Sequence, residues 1–126
     1  MASATTQLIV KNIQVDSIIP YGLNNRIHSE SQIAKIAQSI TEFSFTQPIV
    51  LDDSMVVLVG HGRLEAARRL KLNEVPCVVL EGLTESQKRA YRILDYKLQN
   101  DSEWNFENLK LELDRLTEEN YPIEDW

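Results

Sequence analysis

Between Val59 and Ala67 the chain reads Val-Gly-His-Gly-Arg-Leu-Glu-Ala-Ala, and no other stretch restricts the fold as tightly. An apolar, β-branched run, Met55-Val56-Val57-Leu58-Val59, stops at Gly60. A second glycine follows at Gly62, and Leu64 to Leu70 then carries a helical pattern. A strand that ends in a tight glycine turn and opens a helix gathers unpaired backbone N–H groups and the positive end of a helix dipole at one point. Such a point attracts anions, phosphate above all. Gly60 and Gly62 would let a ligand approach the backbone closely, and Arg63 could add a charged fork. The competing explanation is a strand-to-helix turn that needs glycine for its dihedrals and leaves an arginine on the surface. A short glycine motif alone does not separate the two.

Periodicity supplies the other elements. Leu8 to Val15 reads as a short strand, followed by a loop through Pro20, Gly22 and Asn24-Asn25-Arg26. Ser29 to Gln32 fits a capping box and opens a helix with Ile33, Ile36, Ala37, Ile40 and Phe43 on one face. Two strands, Gln47 to Leu51 and Met55 to Val59, flank a hairpin-like turn at Asp52-Asp53-Ser54. A helix is predicted from Arg63 to Lys71 and a strand from Val75 to Leu80. Thr84 to Gln87 is a second capping box. It starts a long helix with Gln87, Tyr91, Leu94 and Leu98 in register, with Tyr91 and Trp104 expected in the core. Asn105 caps a last helix carrying Leu109, Leu113 and Leu116. The order β-α-β-β-α-β-α-α predicts a small mixed α/β (α+β) domain, a mixed sheet flanked by helices, over residues 8–100, with a helical, acidic extension over 101–126.

A chain of 126 residues with 43% apolar content is long enough for one core. No run approaches the length of a membrane helix and no signal-like N-terminus is evident, so a cytoplasmic location is expected. Cys77, the single cysteine, sits in an apolar strand-like run and reads as a small buried hydrophobe. The net charge of −6 argues against a domain that coats nucleic acid over its whole surface. The charge is unevenly spread, however. Residues 60–99 carry eight basic and five acidic groups, whereas residues 100–126 carry nine acidic groups against Lys110 and Arg115. Arg68, Arg69, Lys88, Arg89 and Arg92 could therefore line a DNA backbone weakly, or simply occupy the exposed faces of two amphipathic helices.

An ordered set of motifs carries a family resemblance over about residues 10–105. The set comprises Asn24-Asn25-Arg26-Ile27-His28-Ser29, Gln47-Pro48-Ile49-Val50, Gly60-His61-Gly62-Arg63-Leu64-Glu65-Ala66-Ala67, Val75-Pro76, Leu83-Thr84-Glu85-Ser86-Gln87 and Leu94-Asp95-Tyr96-Lys97-Leu98. The chain resembles the N-terminal domain of the ParB family, within the ParB/sulfiredoxin-like fold. More narrowly, it resembles ParB-like domains of phages and mobile elements associated with DNA methyltransferases. The resemblance implies binding of CTP or another nucleoside triphosphate, with magnesium. The phosphates would lie on Gly60, His61, Gly62 and Arg63, with Arg26 beside them, and the base near Gln47 and Pro48. Asp95 would take the metal-side position. The role implied is in DNA transactions such as partition or DNA modification. The implied partners are the nucleotide, DNA reached through a fused or partner domain, and a second copy of the chain, with no membrane.

This sequence departs from the family pattern in several places. The Glu and Arg that follow the first glycine of partition proteins are His61 and Gly62 here, which argues against partition-type CTP hydrolysis. Tyr96 replaces an amide that neighbours the metal-side acid. The chain stops where the family places its helix-turn-helix DNA reader, so weak, non-selective DNA binding is expected. The sulfiredoxin cysteine has no counterpart at Gly60 to Arg63, which sets that activity aside. Two enzymatic alternatives remain, a free-serine-type kinase and a ParB-like nuclease. A kinase needs a general base, for which His61, Glu65 and Asp95 are the candidates, and catalysis would fall to His61 or Glu65. A nuclease needs a carboxylate cluster, and Asp52-Asp53 is the only adjacent acidic pair in the family-like portion. His61 itself could donate a proton, hold phosphate, or be a polar turn residue facing water.

Overall fold

A computed structural model describes residues 7–22, 28–100 and 105–122. The chain runs β1 (Val10–Gln14), a 3-10 turn (Val15–Ser17), α1 (Glu30–Phe43), β2 (Ile49–Asp52), β3 (Val57–Val59), α2 (His61–Arg69), β4 (Glu74–Leu80), α3 (Glu85–Asn100) and α4 (Phe106–Glu118). The four strands form one mixed sheet in the order β1-β4-β2-β3, with only the central β4–β2 pair parallel. The predicted α/β class and the element order both hold. Arg26, Asn24, Asn25 and Trp104 lie outside the described residues. Among the described residues, no helix is long and apolar enough to cross a membrane.

Local chemistry explains where the helices start. Ser29 Oγ accepts the Gln32 N–H at 3.1 Å and caps α1, but the Gln32 side chain turns to His28 Nδ1 at 3.1 Å rather than back to the cap. The second box is fully reciprocal: Thr84 Oγ1 accepts from Gln87 N at 3.1 Å, and Gln87 Oε1 accepts from Thr84 N at 2.8 Å. Asn105 Oδ1 caps α4 through Asn108 N at 3.1 Å. The strand expected from Met55 begins only at Val57, because Asp52 Oδ1 gathers the N–H groups of Ser54 and Val56, both at 2.9 Å. That tight turn places Met55 at φ 66°.

The core lies between one sheet face and the helices. Ile49, Leu51, Val57, Val75 and Cys77 contribute from the strands, Leu64 and Ala67 from α2, and Val15 and Ile18 from the segment after β1. Leu64, Ala66 and Ala67 are all buried, so α2 is the helix held most firmly against the sheet. Burial pushes the Cys77 thiol up to about 11, consistent with an inert core side chain. The expected apolar register of α1 reaches the core through Ile33, whereas Phe43 is half exposed.

α3 departs most from expectation. Tyr91 was expected in the core, with Leu94 and Leu98 in its register, yet all three are exposed. The side that meets the body carries Lys88, Arg92 and Asp95 instead. Lys88 is buried, with Nζ 3.1 Å from Asp52 Oδ2, 3.1 Å from Glu85 Oε1 and 3.7 Å from Asp53 Oδ1. Arg92 donates through Nε and Nη2 to the Val57 carbonyl at 3.2 and 2.9 Å, with its guanidinium 3.5 Å above the Tyr21 ring centre. The β2–β3 hairpin offers a carboxylate and an open carbonyl, and only a polar helix face satisfies both.

This lock sets a pH response. Burial acts to raise the Asp52 carboxyl, but the Val56 N–H, the Lys88 ammonium and the Ser54 N–H outweigh it and hold it below its ordinary 3.8. Glu85 and then Asp52 hold Lys88 above its ordinary 10.5. A lowered carboxylate contributes stability above its unfolded value and loses it as pH falls through the folded one. Asp52→Asn should therefore be destabilised relative to the parent at neutral pH, and the gap should close progressively below about pH 4. Denaturant melts of both proteins from pH 2 to 7 would check this; a gap that stays constant through that range would remove Asp52 from the lock.

Candidate functional site

Gly60 ends β3 and serves as the N-cap of α2, with φ 112° and ψ 27°, a conformation open to glycine and strained for other residues. The helix begins at His61, two residues before the predicted start, so Gly62 lies in its first turn with ordinary helical geometry. Positive φ is thus required at Gly60 alone of the pair. Gly62 is needed for space: a Cβ there would stand 3.0 Å from Ile36 Cδ1 and 3.1 Å from His28 Cε1. The close packing of α1 against α2 rests on that missing methyl.

A pocket of about 300 Å³ opens on this helix start. Its floor is Leu58 to Arg63, the end of β3 and the first turn of α2. One wall comes from His28, Gln32 and Ile36 at the head of α1, and the other from Arg92, Asp95, Tyr96 and Gln99 on α3. Gln47 completes the rim. The predicted Gly60, His61, Gly62, Arg63, Gln47 and Asp95 are therefore brought together. Arg63 binds the Pro48 carbonyl through Nη2 at 3.1 Å and Gln47 Oε1 through Nη1 at 3.4 Å, which ties the turn to the segment before β2.

His61 is not a solvent-facing turn residue: it is partly buried, and its Nε2 accepts the Tyr21 N–H at 3.1 Å. A ring nitrogen that accepts leaves the proton on Nδ1. Asp95 Oδ2 accepts from Gln99 Nε2 at 3.2 Å, and Asp95 is the single carboxylate among the described pocket residues. Glu65 stands outside the pocket, exposed and paired with Arg68 at 3.2 Å. It is therefore poorly placed to act as a base there.

The basic residues expected to share a DNA face are scattered by the fold. Arg68 and Arg69 lie at the far end of α2, roughly 12 Å along its axis from His61, paired with Glu65 and Glu30 respectively. Lys88 is buried against Asp52, Arg92 lines the pocket, and only Arg89 stands exposed on α3. Much of the local positive balance is spent within the fold, because Arg68, Arg69, Lys88 and Arg92 each lie beside an acid or a carbonyl. Sequence reasoning missed Arg92, Gln99 and Gln32 as pocket residues. The spacing Lys88, Arg92, Asp95, Gln99, one polar stripe along a helix, was the available signal.

Comparison with known proteins agrees with this fold. The family model described as the ParB N-terminal domain matches residues 1–95. The ParB-like nuclease domain-containing protein YnaK of Escherichia coli K12 is 41% identical over 75 residues, covering 60% of this chain and 86% of YnaK. The probable chromosome-partitioning protein ParB of Rickettsia prowazekii is 33% identical over 72 residues, 56% of this chain but only 25% of that protein. Among solved structures, truncated ParB from Caulobacter crescentus complexed with CTP-gamma-S superposes with a TM-score of 0.76 at 21% identity, over 90% of this chain and 66% of that one. Sulfiredoxin from Arabidopsis thaliana follows the same fold with a TM-score of 0.56 at 20% identity, over 66% of this chain and 96% of its own. With a family model spanning three quarters of the sequence and a close relative matched over most of its length, this chain belongs to the ParB N-terminal domain family.

Proposed function

We propose that the pocket at the start of α2 binds a nucleoside triphosphate, CTP being the first candidate, and that the chain acts in a DNA transaction. One observation carries the reading. The positive-φ cap at Gly60 opens α2 at the pocket, where the first turn of the helix, Arg63 and the Gln47 rim meet. Backbone donors at a helix start favour phosphate, and the polar rim is suited to a base. The CTP-gamma-S complex of the Caulobacter relative supports the choice of nucleotide. Asp95, the carboxylate on this pocket, would be the residue to share a magnesium ion with bound phosphates, since magnesium commonly uses one carboxylate and the substrate's own oxygens. The metal would neutralise phosphate charge.

The partition-protein relatives support a DNA setting. A ParB-like module of a phage or mobile-element DNA-modification system is the narrower form of the proposal, and its motifs are Gly60 to Arg63 and Leu94 to Leu98. Nuclease chemistry is less well supported. Asp52, half of the acidic pair at the hairpin, is occupied by Lys88, and no group of three or more potential metal ligands occurs among the described residues. A serine-kinase role needs a base in the pocket, where Asp95 and His61 stand but Glu65 does not.

A thermal-shift panel of CTP, ATP, ADP, GTP and S-adenosylmethionine, with and without magnesium, tests the reading. A ligand at a hundredfold its Kd adds about 2.7 kcal/mol, an easily measured shift. No shift with any nucleotide would refute it. Gly62→Val offers a second check. Its side chain would displace His28 and Ile36 from the pocket wall, so nucleotide binding should fall well before folding does. Binding equal to the parent would mean that the α1 wall plays no part.

A further inference from the structure

Arg92 was expected on a DNA-facing helix surface, and the fold gives it another task. Its guanidinium is held by two bonds to one carbonyl, Val57 O, and by the face of Tyr21, so its position is fixed before any ligand arrives. Nη1 makes no hydrogen bond among the described residues, while Arg92 lines the pocket. The other charged groups on this pocket are Arg63, from α2, and Asp95, three residues further along α3. Two guanidiniums from different helices thus line the pocket against one carboxylate, a balance that favours an anion.

The anchoring point also sets the size of that anion. Val57, whose carbonyl anchors Arg92, begins β3, and Gly60 follows its last residue, so the two positions lie at most roughly 10 Å apart at about 3.3 Å per residue. A chain of two or three linked phosphates suits a span of that order better than a single phosphate does. We propose that Arg92 is a binding residue of the pocket that receives one end of a condensed phosphate chain whose other end lies on the Gly60–Arg63 turn. The proposal rests on the nucleotide reading and adds to it a second cation, contributed by α3. The bound ligand would hold α3 against the body through the same residue that ties it to β3.

The test uses the whole chain and four forms of it: parent, Arg92→Gln, Arg92→Lys and Arg89→Ala. Gln keeps a donor for Val57 O while removing the charge, and Lys keeps the charge. Arg89 lies exposed outside the pocket and controls for general loss of positive charge. Each is titrated calorimetrically with CTP, inorganic tripolyphosphate and orthophosphate at two salt concentrations, after its thermal melt confirms folding. Arg92→Gln should lose about tenfold or more in affinity for CTP and tripolyphosphate, with a shallower salt dependence. Arg92→Lys should lose less, Arg89→Ala nothing, and orthophosphate should not distinguish the four. A merely structural Arg92 would not produce this dependence on phosphate number and salt. Parent protein that binds CTP and tripolyphosphate no better than Arg92→Gln does would overturn this proposal alone. Parent protein that binds neither would overturn the nucleotide reading and this proposal together.

Discussion

Arg63→Ala should lose one to two decades of nucleotide affinity while the domain remains folded. Arg63 sits in the first turn of α2, partly buried, and its guanidinium reaches the Pro48 carbonyl and Gln47 on the pocket rim. In that place a phosphate would meet a pre-positioned cation beside the first-turn N–H groups of α2, the strong form of hydrogen bond. Removing one such contact costs about 1.5–3 kcal/mol. A smaller structural penalty accompanies it, because the bond to Pro48 O also helps fix the approach to β2. Arg63→Lys separates the two effects, retaining charge without the fork. Calorimetric titration with CTP and magnesium decides the matter: unchanged affinity in Arg63→Ala would take the turn out of the binding site.

Gly60→Val should damage the fold itself. A side chain at φ 112° is strained, which alone costs about 1–3 kcal/mol. The new Cβ would also stand 3.2 Å from Ile49 Cγ1 and 3.4 Å from Ile49 Cα, where the neighbour is buried core backbone and has little room to move. Both costs fall on the junction between β3 and α2, the best-buried helix. Thermal and denaturant unfolding should show a loss of several degrees in Tm, with poor soluble yield as the extreme outcome. A Gly60→Val chain as stable as the parent would mean that the turn relaxes, and that its left-handed cap is not needed. The contrast with Gly62→Val, where a side chain meets the mobile end of Ile36 and the His28 ring, separates a glycine required by backbone geometry from one required by space.

The nearby sequence determined much of this protein. Each helix start could be read because a cap is a local event: Ser29, Thr84 and Asn105 bond to N–H groups three residues ahead. The strand-turn-helix at Gly60 could be read for the same reason, since glycine placement and β-branched runs restrict dihedrals within a few residues. Cys77 and Ile33 were legible as core from the apolar runs around them.

What the sequence left open was decided by groups distant along the chain. Apolar spacing alone turns Tyr91, Leu94 and Leu98 inward. The structure turns Lys88 and Arg92 inward instead, because Asp52 and the Val57 carbonyl lie 36 and 35 residues away in sequence, waiting for donors. The requirement that buried polar groups find partners outweighed the burial of a few apolar side chains, and the apolar periodicity of the helix does not encode that requirement. The same nonlocal pairing removed Lys88 from any DNA-facing surface, engaged Arg69 with Glu30, and brought Arg92 to the pocket. The sequence by itself specified the strand-turn-helix proposed to hold a phosphate; the tertiary structure decided which residues surround it, because hydrogen-bond and charge partners are chosen in space.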